Sequence, residues 1–228
     1  MDSAETLIRQ KTLKAWCFLY RRGFIEGFGH ISCRLPDSDQ FLISRHSLGP
    51  KATSEDLLRF DMEGRKLSGK GDAPGEFPIH LEIYRARPDV GSVIHYHGLD
   101  ATAFTTSEQT LRPIHVLGAI FNDGIPVYAD PKLVTNPQRG QALAKTLGPR
   151  RAALMRAHGA VVTGRDVEES VAVAFLLEEN AHRAYVSCVL GKPVWLDAQT
   201  AAEAGEELLK TRGPFRRIWA LVESDTED

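Results

Sequence analysis

Two histidines stand two positions apart in Val93-Ile94-His95-Tyr96-His97-Gly98. On an extended strand, residues i and i+2 point to the same side, about 6.5–7 Å apart, so two imidazoles in this spacing can converge on one cation. Imidazole suits Zn²⁺, Mn²⁺, Fe²⁺ and their neighbours. The same spacing also occurs as two partly buried histidines with ordinary hydrogen-bond partners, so the pair needs company before it means chemistry. Arg156-Ala157-His158-Gly159 supplies a third imidazole, between two short apolar runs, where the following glycine lets the ring aim inward without a clash. Pro74-Gly75-Glu76 places a carboxylate at the start of a helical pattern, with His80 one turn later. The helix dipole stabilises a carboxylate there, so Glu76 reads either as a cap or as a ligand and proton-transfer group. A metal held by three neutral histidines keeps a position open for substrate, and an adjacent glutamate can handle a proton.

The elements that must position these groups alternate along the chain. Apolar periodicity predicts a helix over 4–21, closed by Gly23. Short strands are expected over 31–34 and 40–44, joined by the turn residues Pro36-Asp37-Ser38-Asp39, and another over 57–61. A helix over 75–87 tolerates Pro78 in its first turn and stops before Pro88. A strand follows over 90–97, then a helix from about Asp100, a short extended piece over 125–128 and a helix over 137–147. Strands over 153–155 and 160–163 flank His158, and the longest helix runs over 167–190 with Gly191 as its cap. One more helix is expected over 200–211, and residues 219–228 read as a disordered acidic tail. Hairpin strands mixed with long helices predict an α/β fold: one sheet covered by helices, in a single domain over 1–228.

Composition limits the function classes. The chain has 228 residues, 43% apolar and 25% charged, with a net charge of −2. It offers no basic field for nucleic acid and no apolar run long enough to span a bilayer. It opens without a charged n-region and apolar h-region, and its three cysteines show no CxxC spacing, which together point to a reducing cytoplasm. No GxGxxG or Walker loop is present.

Taken together and in order, the motifs resemble the class II aldolase/adducin family over most of the chain. Gly27-Phe28-Gly29-His30-Ile31-Ser32-Cys33-Arg34 stands where that family has GNxSxR, and Leu42-Ile43-Ser44 matches the next strand. Glu76, His80 and the helix to Tyr84 match its glutamate helix; Arg87-Pro88-Asp89-Val90 leads into His95 and His97, and His158-Gly159 matches its third histidine. Glu178-Glu179 falls on the family's C-terminal acidic region. The resemblance implies a single-domain α/β/α sandwich around a mostly antiparallel or mixed sheet. It also implies one divalent metal ion per subunit (Zn²⁺ or Mn²⁺, with Fe²⁺ or Co²⁺ as alternatives) on His95, His97 and His158. Glu76 would be an exchangeable ligand and proton carrier, and the enzyme a homotetramer with active sites at subunit interfaces.

The departures bear on substrate. Aldolases of the family hold a phosphate against an asparagine, a Thr-Gly and a Ser-Ser pair; this chain has His30, His46-Ser47 and Pro74-Gly75 there. Proline lacks an N–H and Pro-Gly lacks both hydroxyls, so phosphate loses donors. Arg45, which can take a carboxylate in bidentate fashion, is gained instead; its alternative is a surface ion pair with Glu55 or Asp56. This pattern resembles the family's decarboxylase branch, which acts on hydroxylated aromatic or pyridine carboxylates. The expected site is therefore Glu76 and His30 as catalytic groups, Arg45, His46, Ser44 and Gly29 around a small-molecule carboxylate, and His95, His97, His158 and Glu76 on the metal. A retro-aldolase acting on a non-phosphorylated hydroxy-keto acid is the nearest alternative. A non-haem iron oxygenase and a non-catalytic adducin-like module are more distant ones.

Overall fold

The computed structural model describes residues 3–225. Helix α1 (Ser3–Arg21) leads into an antiparallel meander of β1 (His30–Arg34), β2 (Gln40–Ser44), β3 (Leu57–Asp61) and β4 (Lys66–Ser68). Then come α2 (Phe77–Ala86), β5 (Ser92–Tyr96), the short α3 (Leu99–Phe104), β6 (Val127–Tyr128) and α4 (Pro137–Leu147). The chain continues through β7 (Ala152–Met155), β8 (Gly159–Gly164), α5 (Val167–Leu190), α6 (Ala198–Thr211) and α7 (Gly213–Ser224). The strands form one eight-stranded sheet in the order β4-β3-β2-β1-β5-β8-β7-β6. Every neighbouring pair is antiparallel except β6 with β7, so the sheet is mixed.

Strand alternation divides the core into two layers. Ile31, Cys33, Leu42, Leu57, Ile94, Tyr96, Leu154 and Val162 face α1, α5 and α7. Phe41, Ile43, Leu58, Phe60, Val93, Ala153, Met155 and Val161 face α2 and α4. The result is an α/β/α sandwich in the class expected. By the same parity, His30, Ser32 and His95 belong to the α2 side. The β1–β5 register places His30 opposite His95 and Ser32 opposite Val93. Two elements of an α/β sheet that never meet in sequence thus bring two imidazoles side by side.

Local signals hold the long helices where expected. Asn136 caps α4 by accepting from the Arg139 N–H, with Pro137 in its first turn. Asp166 accepts from the Glu169 N–H at the start of α5. The helix expected over 75–87 begins at Phe77, leaving Pro74-Gly75-Glu76 in the turn before it.

The C-terminus departs from expectation. Residues 219–224, expected in a disordered tail, complete α7, which buries Phe215 and Val222 against α5; residues 226–228 of that tail lie outside the described residues. The helix was hidden because Pro214 reads as a stop, whereas it occupies the first turn of a new helix. Arg212 makes the corner in a left-handed conformation (φ 53°) and donates to Asp166 (3.1 Å) and Glu169 (2.9 Å). Among the described residues no helix is long and apolar enough to cross a membrane. Cys33 is buried, Cys17 and Cys188 are half-buried, and none of the three is in a disulfide.

Candidate metal centre and active site

The strand end of β5 carries His95 and, one residue beyond it, His97; the β7–β8 connection carries His158; the turn before α2 carries Glu76. One donor atom from each lies within 4.8 Å of all the others. His95 Nε2 is 3.1 Å from His97 Nε2, and Glu76 Oε2 is 3.4 Å from His95 Nε2 and 3.3 Å from His158 Nε2. Four donors arranged tetrahedrally about 2.1 Å from a first-row dication stand roughly 3.4 Å apart, so these spacings are those of a ligand set.

Each donor is aimed by its surroundings. His95 Nδ1 donates to the Ala160 carbonyl (3.0 Å), which leaves the Nε2 lone pair on the cluster side. The Val134 N–H donates to Glu76 Oε1 (2.7 Å), turning Oε2 toward the imidazoles. Both ring nitrogens of His158 are buried without a hydrogen-bond partner among the described residues. Buried polar atoms are ordinarily satisfied, and a cation is one group that satisfies several bare imidazole nitrogens together. The residues therefore fit a divalent metal. Burial would raise the Glu76 carboxyl, but the His158 and His95 rings and the Val134 N–H outweigh it and hold the group well below the usual carboxylate range. Burial, with His95 and His158 adding to it, pushes His97 down to about 4, which favours the neutral, ligating ring.

Glycines permit the close approach. A Cβ on Gly159 would stand 2.4 Å from the Tyr96 carbonyl and 2.8 Å from the His97 ring, so the β8 end packs against the metal-side loop only as glycine. A Cβ on Gly98 would stand 2.1 Å from Glu178 Oε1. Glu178, on α5, accepts from the Ala101 N–H (3.3 Å) and so ties the start of α3, just after His97, to the long helix. Burial pushes Glu178 up to about 7, with Asp100 adding to the rise; the Ala101 N–H opposes it. Tyr96 lies against this carboxyl, yet its hydroxyl donates to the Ala174 carbonyl (3.4 Å), and Glu178 Oε1 has no hydrogen-bond partner among the described residues.

The cluster opens on a cavity of about 280 Å³ lined by Gly29, His30, Arg45, His46, Glu76 and His97, among others. A single aryl carboxylate fits near the lower end of the usual ligand-site range, about 300 Å³. Larger grooves beside Lys11 and Arg165 and beside Arg9 and Lys70 lie elsewhere and hold no such donor cluster among the described residues. Arg45 occupies both of its expected alternatives: Nε donates to Asp56 (2.5 Å), yet the side chain forms part of the wall. His46 is exposed at the rim, with Nδ1 2.7 Å from Ser47 Oγ.

Ser44 is not brought to this wall. It is fully buried and accepts from the Ile31 N–H (3.2 Å). Its parity in β2 is that of Leu42, which puts it on the α1–α5 side of the sheet, away from His30. Phe28, Leu133 and Thr135 line the cavity without having been singled out from sequence. Phe28 sat unassigned within a quoted motif, and the Asn136-Pro137 helix start marked the end of the loop carrying Leu133 and Thr135. Nothing local showed where that loop folds.

The sequence profile described as "Class II Aldolase and Adducin N-terminal domain" matches residues 10–185. A 3,4-dihydroxyphthalate decarboxylase of Rhodococcus jostii is 34% identical over 175 residues, 70% of this chain and 72% of that protein. The enzyme of the same name from Arthrobacter keyseri is 30% identical over 182 residues, 72% of this chain and 71% of that one. The crystal structure of an aldolase II superfamily protein from Pseudomonas syringae superposes with a TM-score of 0.88 at 22% identity, covering 99% of this chain and 94% of that one.

His158→Ala removes one of four donors and should abolish stoichiometric binding of added zinc while far-UV circular dichroism stays unchanged; undiminished binding by titration calorimetry would contradict the ligand set. A second expectation concerns Glu178. Its folded value, about 7, lies above its ordinary 4.5, so the wild type loses stability as pH rises from about 4.5 to 7. The loss is on the order of 3 kcal/mol at 1.4 kcal/mol per unit. Glu178→Gln should flatten this slope in denaturant midpoints; parallel pH profiles for both proteins would refute it.

Proposed function

Because the chain belongs to the class II aldolase/adducin family, in its decarboxylase-like branch, we propose that it is a divalent-metal-dependent carboxy-lyase acting on a hydroxylated aromatic or heteroaromatic carboxylate. The observation that carries this reading is the Glu76, His95, His97 and His158 cluster, two of whose members, Glu76 and His97, line a cavity together with Arg45 and His30. The relatives named 3,4-dihydroxyphthalate decarboxylases support it.

When bound, the metal would be held by His95, His97 and His158, with Glu76 as the exchangeable fourth donor, and would act as a Lewis acid for the substrate's hydroxyl and adjacent carboxylate oxygens. The chain's own residues supply the rest. After Nε pairs with Asp56 and Nη1 with the His46 carbonyl, Arg45 Nη2 has no partner among the described residues and is available to a second carboxylate. His30 faces the cavity as an uncharged ring, since burial and the His80 and His95 imidazoles hold it well below its ordinary value. Glu76, held ionised, takes the hydroxyl proton of the substrate and returns it to the ring carbon that bears the departing group. The carbon–carbon bond then breaks, its electron pair returns to the ring, and CO₂ leaves with aromaticity restored. Pro74 and Gly75 offer no hydroxyl at the place where a phosphate would need one.

The reading includes a homotetramer in the cytoplasm with sites completed at subunit boundaries. Phe28 and Leu133 on the cavity wall and Leu99 beyond His97 are apolar and exposed (73%, 57% and 84%), which suits a surface that a neighbouring subunit covers.

The direct test is CO₂ release from a panel of hydroxyaryl and hydroxypyridine carboxylates by zinc- or manganese-loaded protein. Turnover is expected with at least one dicarboxylate; aldehyde release from hydroxy-keto acids with no CO₂ from the panel would favour a retro-aldolase instead. Glu76→Gln should lower kcat at least 100-fold, and a kcat near wild type would remove Glu76 from proton transfer. Arg45→Ala should raise KM for the dicarboxylate about tenfold with little change in kcat, and an unchanged KM would make Arg45 only the partner of Asp56.

A further inference from the structure

Behind His30 runs a chain of side-chain hydrogen bonds that the proposed chemistry does not use. His30 Nδ1 is 2.6 Å from His80 Nε2. His80 Nδ1 is 2.6 Å from Ser32 Oγ, and Ser32 Oγ is 2.8 Å from the Tyr84 hydroxyl. All four residues are buried: His30 is 5% exposed, Tyr84 2%, and Ser32 and His80 not at all. The chain exists because α2 and the meander share one face. His80 and Tyr84 are one helical turn apart, and Ser32 and His30 are two apart on β1, so two neighbouring side chains of one element meet two of the other.

Four linked groups of this kind can be ordered in two directions, and the structure distinguishes them. The Tyr84 hydroxyl is buried, so its own proton needs an acceptor. Among the described residues that acceptor is Ser32 Oγ. With its oxygen accepting from Tyr84, Ser32 gives its proton to His80 Nδ1. His80 is then bare at Nδ1 and carries its proton on Nε2, which it donates to His30 Nδ1. His30 is in turn bare at Nδ1 and protonated at Nε2, the ring nitrogen left to the cavity. The reverse order would leave the Tyr84 proton buried without an acceptor.

We propose that Tyr84, Ser32 and His80 are positioning residues that lock His30 in the Nε2–H tautomer, so that it meets a ligand as a hydrogen-bond donor and not as a base. The chain is a lock and not a proton wire. Passing a proton outward along it would leave a phenolate at Tyr84, and burial pushes that hydroxyl well above its ordinary range. An acceptor oxygen is therefore what the His30 side of the cavity selects: a carboxylate or a phenolate, in preference to a hydroxyl that needs a base. Naming that acceptor as the substrate's carboxylate rests on the function proposed above; the tautomer itself does not.

The test needs no substrate. Full-length protein labelled with ¹⁵N-histidine and loaded with diamagnetic zinc is examined by long-range ¹H–¹⁵N correlation, with the His30 signals assigned from their loss in His30→Gln. The expected pattern is a pyridine-like Nδ1 and a pyrrole-like Nε2 on His30, and the same on His80. Tyr84→Phe and Ser32→Ala, each checked for native circular dichroism, should move both His30 nitrogens toward averaged shifts, the sign of a mixed tautomer. A pyridine-like Nε2 on His30 in the wild type overturns the proposal, and so do unchanged His30 shifts in whichever variants fold. Because the wild-type spectrum is decisive alone, a decarboxylase assay that fails leaves this result standing, and the reverse also holds.

Discussion

Everything at this site depends on one electrostatic constraint: three imidazoles and a carboxylate converge where the sheet ends, their donor atoms all within 4.8 Å of one another and three of the pairs 3.1–3.4 Å apart. Ring nitrogens whose lone pairs turn inward repel one another, and the protein holds the four groups together through interactions outside the cluster. The Ala160 carbonyl fixes His95, the Val134 N–H fixes Glu76, and the closeness of Gly159 to Tyr96 fixes the loop bearing His97. Outside contacts of this kind would hold the four donors in place for a dication, which is the usual logic of a preformed site.

The sheet turns this cluster into a cavity with two unlike walls. One comes from His97 and the turn before α2, the other from the start of β1 with the loop before it, the loop after β2 and the segment carrying Leu133. Antiparallel pairing of β1 with β5 joins the two, because it sets His30 directly across from His95. Behind both walls the sandwich is filled with apolar side chains in two separate layers. On the α2 side the buried Tyr84, Ser32, His80 and His30 side chains are linked to one another in a hydrogen-bond chain, as a low-dielectric interior favours.

Much of the architecture was legible in the chain itself. The helices over 137–147 and 167–190 carry their own start and stop chemistry, and their bounds are Pro137–Leu147 and Val167–Leu190. Three strands of the meander followed from turn residues between short apolar runs, while β4, a fully exposed edge strand, was not expected. The last helix was not legible, because Pro214 within three residues of Thr211 looks the same whether it ends one helix or begins the next; its packing on α5 decides.

Residue types and their spacing determined which donors this protein has, and strand parity determined that His95 and His97 share a side. Local signals also set most helix bounds. Tertiary structure decided which side of each strand faces α2 and which faces α5, and therefore that Ser44 turns away while Ser32 joins His80. It decided that Arg45 divides itself between Asp56 and the cavity, and that the loop with Val134 closes over Glu76. The reason is physical: periodicity within an element fixes only relative orientation along it. The absolute face, and every partner across the sheet, comes from contacts between segments dozens of residues apart, whose free energy is set by mutual burial and not by either segment alone.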